Sequence, residues 1–318
     1  MTELEQKLLA IIQDAFPLEK RPYQVLADQL GSDEQSVFAA VEGLRKSGII
    51  RRIGGVYDSK ALGFISRLCA GKVPTVVTGA ADDNALEKFA AAVNEIPAIT
   101  HNYVRSHEYN VWFTVIAQSE EEIQKIVDDV CAKTELHDVH VLSATKKYKI
   151  NTVMGGVVRQ ALQPCKIPAR ILSDSDRTRI HIACDDIPHS LTPFKDWGVS
   201  CEELREDLAL KRMRRFGAIL RHQEAGFAFN AMVCLAELDK SPNNSAGAIL
   251  AQKPFISHCY DRPAFEGFPY TLYAMMHAQS ADELDRNIKE AAESIGNPDY
   301  VVLHSVRELK KTSYRFFA

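Results

Sequence analysis

Apolar residues near the start of the chain recur at the spacing of one helical face. A second short helix is predicted after Pro22, and Ser32 and Gln35 have the spacing of a capping box that opens a third helix. The strand-turn pattern of residues 49–58 follows these helices, and this order predicts a winged helix-turn-helix. The apolar face of the first helix consists of Leu4, Leu8, Ile11 and Ile12.

Residues beyond this segment change to a mixed strand and helix pattern. The order is strand, helix, strand, strand, helix, strand, which predicts a ferredoxin-like module with two helices covering one face of its sheet. The predicted elements are strand 64–73, helix 84–94, strands 98–105 and 110–117, helix 119–132 and strand 139–144.

The sequence of the first half then recurs in the second half. DAFPLEKRPY at 14–23 aligns with DDIPHSLTPF at 185–194, and RIGGVYDSKALGF at 52–64 aligns with RFGAILRHQEAGF at 215–227. Further along, ITHNYVR and EYNVWFTVIAQSEEEI align with ISHCYDR and PYTLYAMMHAQSADEL in the same order. Four ordered matches indicate a tandem duplication. Two capping boxes are expected in the second half, Ser200 with Glu203 and Ser280 with Glu283.

The predicted fold class is therefore α+β, a duplication of a winged helix-turn-helix plus a βαββαβ module. The linker is rich in glycine and proline, which favours irregular structure. The predicted domains are a winged helix-turn-helix at 1–60, a ferredoxin-like domain at 61–150, a linker at 151–168, a shortened winged helix-turn-helix at 169–224 and a second ferredoxin-like domain at 225–318.

Composition narrows the class of protein. The chain is 46% apolar and 25% charged, as in ordinary globular proteins, and its 318 residues are enough to form two or more hydrophobic cores. Seven cysteines without a C-x-x-C pair argue against a disulfide framework, structural zinc or an iron–sulfur cluster. No apolar run approaches the length of a bilayer span, and no signal peptide is recognised, so the protein is expected in the cytoplasm without a membrane partner.

DNA binding is disfavoured despite the helix-turn-helix pattern. The third helix opens with Asp33 and Glu34, which would face phosphates at the groove. The second copy is shorter, because 15 residues separate Ser200 from Arg215 against 20 between Ser32 and Arg52. A net charge of −4 offers no electrostatic footprint for nucleic acid.

Each half places histidine, tyrosine and arginine on one face of a predicted strand, because alternate residues share a face. That face is the one not covered by helices, so the seam between the modules should be polar, aromatic and cationic. Two interpretations remain open: a hydrogen-bonded domain interface, or a pocket for a ligand with anionic groups. The residues are His101, Tyr103 and Arg105 in the first half and His258, Tyr260 and Arg262 in the second.

Additional cations and aromatic residues lie near these strands in sequence. The second half has LRHQ where the first has YDSK, and so gains a histidine and an arginine. No nucleotide, zinc-protease or hydrolase motif is present in the sequence. The additional candidates are Arg221, His222, Lys311 and Arg315 from the second half and His107, Tyr109 and Trp112 from the first.

Several long segments of the sequence resemble those of a known protein family. The layout of winged helix plus ferredoxin-like module resembles the Lrp/AsnC regulators. RRFGAILRHQEAGFAFNAMV, ISHCYDRP, FPYTLYAMMHAQS and RELKKTSYRFF resemble the B subunit of the sirohaem decarboxylases, and FPLEKRPYQVLADQLG, GIIRRIGGVYDSKALGF and HNYVRSHEYNVWFTV resemble the A subunit. The chain is thus similar to a natural fusion of both subunits.

The resemblance implies an enzyme, a carboxy-lyase. Its substrate would be sirohaem, an iron tetrapyrrole, and its product 12,18-didecarboxysirohaem, formed by loss of the acetate carboxylates at C12 and C18 in an alternative or denitrifier haem pathway. No separate cofactor is expected. The two halves should form an intramolecular pseudo-dimer, with a further homodimer left open.

Roles follow from the chemistry of a polyanionic macrocycle. Cations should grip carboxylates, and an imidazole should bind the iron or supply the proton that completes decarboxylation. The predicted catalytic residues are His222, His258, Tyr260 and His101, with His222 as candidate axial ligand. The predicted substrate-binding residues are Arg221, Arg262, Arg105, Tyr103, His107, Trp112, Lys311 and Arg315.

Two other functions fit the same scaffold. A haem- or tetrapyrrole-responsive regulator of the Lrp/AsnC type would use the pocket for sensing, and a tetrapyrrole carrier would bind without turnover. Salt-dependent binding to promoter DNA would favour the regulator, whereas catalytic loss of carboxylates favours the enzyme.

Overall fold

Helix α1 begins at a reciprocal cap, in which the Thr2 hydroxyl accepts the Glu5 amide and the Glu5 carboxylate accepts the Thr2 amide. The computed structural model describes residues 1–74, 83–150, 172–221, 229–236 and 245–318. The elements of the first half are α1 Glu3–Ile12, α2 Pro22–Leu30, α3 Glu34–Lys46, β1 Ile50–Tyr57, β2 Ile65–Gly71, α4 Asp83–Asn94, β3 Ile99–Arg105, β4 Val111–Ala117, α5 Glu120–Thr134, β5 Val139–Leu142 and β6 Lys146–Ile150.

The predicted capping box at Ser32 and Gln35 is wrong by one residue. Helix α3 begins after Asp33, whose carboxylate accepts the Ser36 amide at 2.9 Å and the Ser36 hydroxyl at 2.6 Å. An aspartate is a strong N-cap because its oxygen satisfies a free amide of the first turn and its charge suits the helix dipole. The acidic start of α3 therefore serves the helix itself.

The second half repeats the plan with a shorter third helix. Ser200 and Ser280 cap their helices through the amides of Glu203 and Glu283, which is the serine half of the two predicted capping boxes, whereas the Glu283 carboxylate accepts the Gln279 amide. Helix α8 has 9 residues where α3 has 13, which confirms the predicted shortening. The elements are α6 Asp174–Ala183, α7 Pro193–Trp197, α8 Cys201–Ala209, β7 Met213–Leu220, β8 Phe229–Leu235, α9 Ala246–Ala251, β9 Ile256–Asp261, β10 Leu272–Ala278, α10 Ala281–Ser294 and β11 Tyr300–Lys311.

The two wing strands pair with each other. The sequence predicted a separate strand-turn wing in each half, but β1 and β7 form one antiparallel two-stranded sheet. Gly54 and Gly217 face each other at the centre of this pairing. A strand with an open edge pairs with whatever complementary strand is near, and here the near strand belongs to the other copy.

Helix ends from the opposite half pack directly on the wing glycines. A Cβ on Gly217 would lie 2.5 Å from the Ile12 carbonyl oxygen at the end of α1, and one on Gly54 would overlap the Asp185 carbonyl oxygen that follows α6. The adjacent Arg52 and Arg215 donate to the Asp185 and Gln13 carbonyls, respectively. Each wing is thus held by a helix of the other copy.

The ferredoxin-like modules merge into one nine-stranded sheet in the described ranges. Its order is β5-β2-β4-β3-β11-β8-β10-β9-β6, so that each module keeps the expected four strands. Strand β11 pairs first with β8 and then, from Ser305 onward, with β3 of the other module. Strand β6, which the sequence did not predict, pairs in the same way with β9. The two end strands β5 and β6 are separated by only residues 143–145, so the sheet curls back on itself.

Four apolar cores of the described residues hold this arrangement. One joins both helix-turn-helix regions and the C-terminal Phe316, and two lie between one module's part of the sheet and its helices. The fourth, termed the inter-sheet core, lies between the two facing parts of the nine-stranded sheet. It consists of Ala70, Tyr109, Trp112, Leu142, Met232, Cys234, Phe268, Tyr273 and Leu303.

Within the described ranges, no helix has the length and apolar character needed to cross a membrane. The predicted linker at 151–168 and the predicted boundary at 224/225 lie outside the described residues. The exact domain limits stay predictions.

Replacement of Gly54 by alanine should destabilise the protein by about 1–3 kcal/mol, because the new methyl group overlaps a backbone carbonyl that cannot move freely. The matched control is Gly43→Ala inside α3, where the nearest atom lies 3.8 Å away and the better helix propensity should add about 0.5–1 kcal/mol. Urea unfolding of both variants checks this. Equal stability of the two variants would contradict the close packing of helix ends on the wings.

Candidate active site

His101, Tyr103 and Arg105 lie on the face of β3 that points away from α4 and α5, as predicted from strand alternation. In register, Tyr103 pairs with Trp112 of the inter-sheet core, whereas Val104 on the opposite face packs against the helices. His258, Tyr260 and Arg262 have the same placement on β9. The duplication therefore puts two imidazole, phenol and guanidinium ladders on the inner faces.

The crossing strands supply the partners of these ladders at equivalent positions. Leu142 and Leu303 occupy matching sites in the inter-sheet core, since each accepts a hydrogen bond from the ladder arginine of the other module. Lys147 lies five residues after Leu142 and pairs in register with Tyr260, and Glu308 lies five residues after Leu303 and pairs in register with Tyr103. A β-bulge follows Lys147 and Glu308 alike, so the two strands remain equivalent beyond it.

The first cluster comprises His101, Tyr103, Glu308, Lys311 and Arg51. Burial raises the pKa of the Tyr103 hydroxyl, and the charge of the nearby Glu308 carboxylate raises it further. Lys311 Nζ lies 3.9 Å from that carboxylate. Arg51, from wing strand β1, donates to the Lys311 carbonyl oxygen at 3.1 Å and to the Ser313 hydroxyl at 2.8 Å. The first cluster is thus a connected network of hydrogen bonds and charges.

The second cluster comprises His258, Tyr260, Lys147 and Arg214. Arg214 is the wing residue equivalent to Arg51, and its buried Nε has no hydrogen-bond partner among the described residues. Burial lowers the pKa of the Lys147 amine, while the nearby Asp58 opposes this shift. Neither the Tyr260 hydroxyl nor Lys147 Nζ has a hydrogen-bond partner in the part of the chain that is described. These polar groups are available to a ligand.

His258 is neutral at physiological pH. Burial, together with the charges of Arg214, Lys149 and Lys311, lowers the pKa of its imidazole to about 4. The Ser257 hydroxyl lies 2.9 Å from His258 Nδ1, 3.1 Å from His277 Nε2 and 3.2 Å from the Met275 carbonyl oxygen. A neutral imidazole carries its proton on one nitrogen, so His258 presents a lone pair on the other.

The ladder arginines lie deeper and bridge the modules. Arg105 donates to the Leu303 carbonyl oxygen at 3.1 Å and to the Ser305 hydroxyl at 2.9 Å, and Arg262 donates to the Leu142 carbonyl oxygen at 2.6 Å. Each guanidinium also lies 5.2 Å from the ring centre of its ladder tyrosine. Burial lowers the pKa of Arg105 to about 10. Both arginines hold the seam together, and the Nε of each has no hydrogen-bond partner among the described residues.

The chemistry available at this seam is that of an anion site with acid–base groups. Cations from the wings and crossing strands surround two imidazoles, and Lys311 lies close enough to both clusters to perturb His258. Among the described residues, no group of three or more histidine, cysteine or carboxylate side chains could hold a metal ion by itself. The seam suits a ligand that carries several carboxylates.

Comparisons with known proteins agree with this description. A family model described as "Siroheme decarboxylase NirDL-like HTH domain" matches residues 5–51, and the AsnC-like ligand binding domain matches residues 61–149 and 224–310. A sirohaem decarboxylase of Hydrogenobacter thermophilus is 33% identical over 98% of this chain and 94% of its own length. The chain belongs to the sirohaem decarboxylase family.

Other members of the family match in part or in full. The alpha subunit of the Desulfovibrio desulfuricans enzyme is 45% identical, but it covers 47% of this chain and 82% of itself. The crystal structure of the sirohaem decarboxylase NirDL has a TM-score of 0.72 at 28% identity, covering 99% of this chain and 95% of that chain. The same enzyme in complex with an iron-uroporphyrin III analogue has a TM-score of 0.71.

Two predicted residues of the second half lie elsewhere than expected. The sequence grouped Arg221 with His258, but Arg221 Nη1 approaches Gly48 and its charge acts on Arg51, next to the first cluster. The antiparallel pairing of β1 with β7 places Arg221 there, because the end of each wing strand lies beside the start of the other. Arg315 forms an ion pair with Asp185 at the helix-turn-helix region and does not reach either cluster.

His107 and Trp112 belong to the aromatic packing around the inter-sheet core. Trp112 is 1% exposed and its indole donates to the Tyr109 carbonyl oxygen at 2.7 Å. His107 Nδ1 accepts the Tyr109 amide at 3.0 Å, and its ring contacts the edge of Phe268. Neither side chain joins the two clusters. His222 lies outside the described residues, and its role stays a prediction.

Sequence reasoning missed the wing arginines Arg51 and Arg214 and the crossing-strand residues Lys147 and Glu308. A signal for the arginines existed, since both copies carry an arginine pair directly before the wing glycine, as RRIGG and RRFGA. No such signal marked Lys147 and Glu308, because their positions depend on the pairing of strands from different modules.

The low pKa of His258 predicts a specific pH dependence of stability. Between pH 6.5 and about 4 the unfolded chain binds a proton at this residue that the folded chain does not, so stability falls as the pH falls through this window. His258→Gln removes this contribution. The parent should therefore exceed the variant in unfolding free energy by more at pH 8 than at pH 5, as measured by urea unfolding. A gap that stays constant or widens at pH 5 would contradict the buried neutral imidazole.

Proposed function

We propose that this protein is a sirohaem decarboxylase that removes the acetate carboxylates at C12 and C18 to give 12,18-didecarboxysirohaem. One observation carries the assignment: a chain of this family places two imidazole and tyrosine ladders under wing arginines, at a seam with unpartnered polar groups. The iron tetrapyrrole is the substrate, in keeping with the iron-uroporphyrin analogue bound to the related NirDL structure.

The seam fits the chemistry of this substrate. Sirohaem is a flat macrocycle with carboxylates around its rim, so it needs cations at several points and aromatic walls. Arg51 and Arg214 approach from the wings, and Lys147 and Lys311 approach from the crossing strands. Tyr103 and Tyr260 supply aromatic surface beside the imidazoles.

The reaction needs charge dispersal and then a proton. The bond between the carboxylate carbon and the methylene carbon breaks, carbon dioxide leaves, and the electron pair stays on the methylene, where the macrocycle delocalises it. A general acid then protonates this carbon to give a methyl group. Cations that hold the other carboxylates would leave the reacting one in the less polar interior, which disfavours its localised charge relative to the transition state.

The protonation state of His258 decides which roles it can take in the reaction. A neutral imidazole in the free protein has a lone pair on one nitrogen, which can bind the substrate's iron. Bound carboxylates would also raise its pKa, because an adjacent negative charge favours the imidazolium, and would so allow it to carry the proton. His101 and His222 remain the other predicted imidazoles, and Tyr260 orients His258 by stacking at 6.2 Å between ring centres.

The two halves of the chain support an intramolecular pseudo-dimer, since strands and helices of each half complete the other. A further homodimer, a cytoplasmic location and independence from any separate cofactor stay predictions. DNA binding remains disfavoured: Asp33 caps α3, Glu34 pairs with Arg21, and α8 is short.

Replacement of His258 by alanine should slow carbon dioxide release from sirohaem by about 10²–10⁴-fold, the usual contribution of a placed proton donor or acceptor. The same measurement on His222→Ala and His101→Ala decides the roles of the other predicted imidazoles: a loss of this size assigns the residue to the reaction, and parental turnover removes it from the catalytic set. The measurement is anaerobic incubation with sirohaem, followed by chromatography and mass spectrometry of the pigment.

The controls are Asp33→Ala and Glu34→Ala, which lie on the helix-turn-helix surface and should keep parental turnover once their folded fraction is matched. Equal activity of His258→Ala and these controls would refute the site. An altered absorption spectrum of sirohaem bound to His258→Ala would assign the residue to the iron, whereas an unchanged spectrum with slow turnover would assign it to proton transfer.

A further inference from the structure

The two clusters differ in charge at two structurally equivalent positions. Five residues after the matching leucines, the strand that crosses to β3 carries Glu308 and the strand that crosses to β9 carries Lys147. Each pairs in register with the ladder tyrosine of the other module. Three residues further on, Lys311 pairs with His101 where Ile150 pairs with His258. The histidine, tyrosine and arginine of the ladder are the same in both clusters.

Glu308 closes the first cluster. It pairs in register with Tyr103, its charge acts on the Tyr103 hydroxyl, and its carboxylate lies 3.9 Å from Lys311 Nζ. One acid thus lies beside both the phenol and a cation that a substrate carboxylate would need. Its charge also repels an incoming carboxylate, and repulsion of like charges is strong where water is partly excluded.

Lys147 leaves the second cluster open. The Tyr260 hydroxyl has no hydrogen-bond partner within the described ranges, and the same is true of Lys147 Nζ and of the buried Arg214 Nε. The missing acceptor is costly at Arg214 Nε, which is buried, whereas the Tyr260 hydroxyl and Lys147 Nζ reach solvent and can exchange water for a ligand. A carboxylate supplies oxygen acceptors and the opposite charge.

The flanking charges have opposite signs. Asp58 adds a negative charge near Lys147, and Arg221 adds a positive charge near Arg51. Both oppose the contrast between Lys147 and Glu308, but they act from the wing end, whereas Lys147 and Glu308 pair in register with the ladder tyrosines themselves. The contrast therefore resides beside the tyrosines and not in the total charge of each cluster.

We propose that Lys147 and Glu308 determine which cluster receives the tetrapyrrole: Lys147 binds a substrate carboxylate beside Tyr260, and Glu308 excludes the substrate from Tyr103. The chain then has one substrate site, built around His258. The identity of the substrate rests on the proposed function, but the choice between the clusters rests on the contacts above.

The test uses binding of iron-uroporphyrin III to the full chain, followed by absorption titration. The parent should bind one equivalent. Lys147→Gln should weaken binding of the probe about 10- to 100-fold, the usual effect of losing a charge-assisted hydrogen bond, and Lys147→Arg should restore most of it. The matched control is Lys146→Gln on the neighbouring residue, whose ammonium lies 4.6 Å from the Tyr148 ring centre, away from the cluster.

Glu308 is tested in the opposite direction. Glu308→Lys should add a second equivalent of bound probe, and Glu308→Gln should add weaker binding at the same site, with folding checked by urea unfolding. With sirohaem, Lys147→Gln should raise KM more than it lowers kcat, because the lysine holds a carboxylate outside the breaking bond.

Three results would overturn the proposal: equal binding by the Lys147→Gln and Lys146→Gln proteins, two equivalents bound by the parent, or one equivalent of unchanged affinity bound by Glu308→Lys. Absence of sirohaem turnover in the parent would refute the decarboxylase assignment alone, because probe binding does not depend on catalysis.

Discussion

The architecture depends on the exchange of edge strands between two copies of one module. A ferredoxin-like sheet exposes the edge of its second strand, and an exposed edge leaves amide and carbonyl groups without partners. Here the second half of β11 covers β3, and β6 covers β9, so the backbone of each copy completes the other. Because these pairings are specific in register, they fix which side chain of one module faces each ladder residue of the other.

The same exchange operates in the wings. Strands β1 and β7 pair around Gly54 and Gly217, and the ends of α1 and α6 pack on those glycines from the opposite half. This pairing explains why the arginine gained in LRHQ does not add to the charge of its own half: Arg221 lies beside Arg51 of the first half. In the equivalent place of the first copy stands Asp58, which faces Lys147 and Tyr260. Divergence of one copy thus alters the environment of the other.

The chemistry of the seam follows from partial burial of imidazoles and of cations that outnumber the nearby acids Glu308 and Asp58. Desolvation lowers the pKa of His258, Lys147 and Arg105, so the seam holds positive charge and neutral nitrogen bases at a cost that an anionic ligand would relieve. A surface built only for dimerisation would gain more stability from apolar residues, as in the inter-sheet core a few residues away. The apolar inter-sheet core is therefore the part of the seam that packs, and the two polar clusters are the part suited to binding a ligand.

The sequence alone determined the duplication, the order of helices and strands and the inner position of His101, Tyr103, His258 and Tyr260. These features depend on local periodicity and on alternation along a strand, which a single segment encodes. The tertiary structure alone decided the pairing of β1 with β7, the course of β6, the arrival of Arg51, Arg214, Lys147 and Glu308 at the ladders, and the burial of Trp112 in the packing core. Each of those outcomes requires two segments distant in sequence to meet in one register, and the free energy of that meeting resides in contacts that neither segment contains by itself.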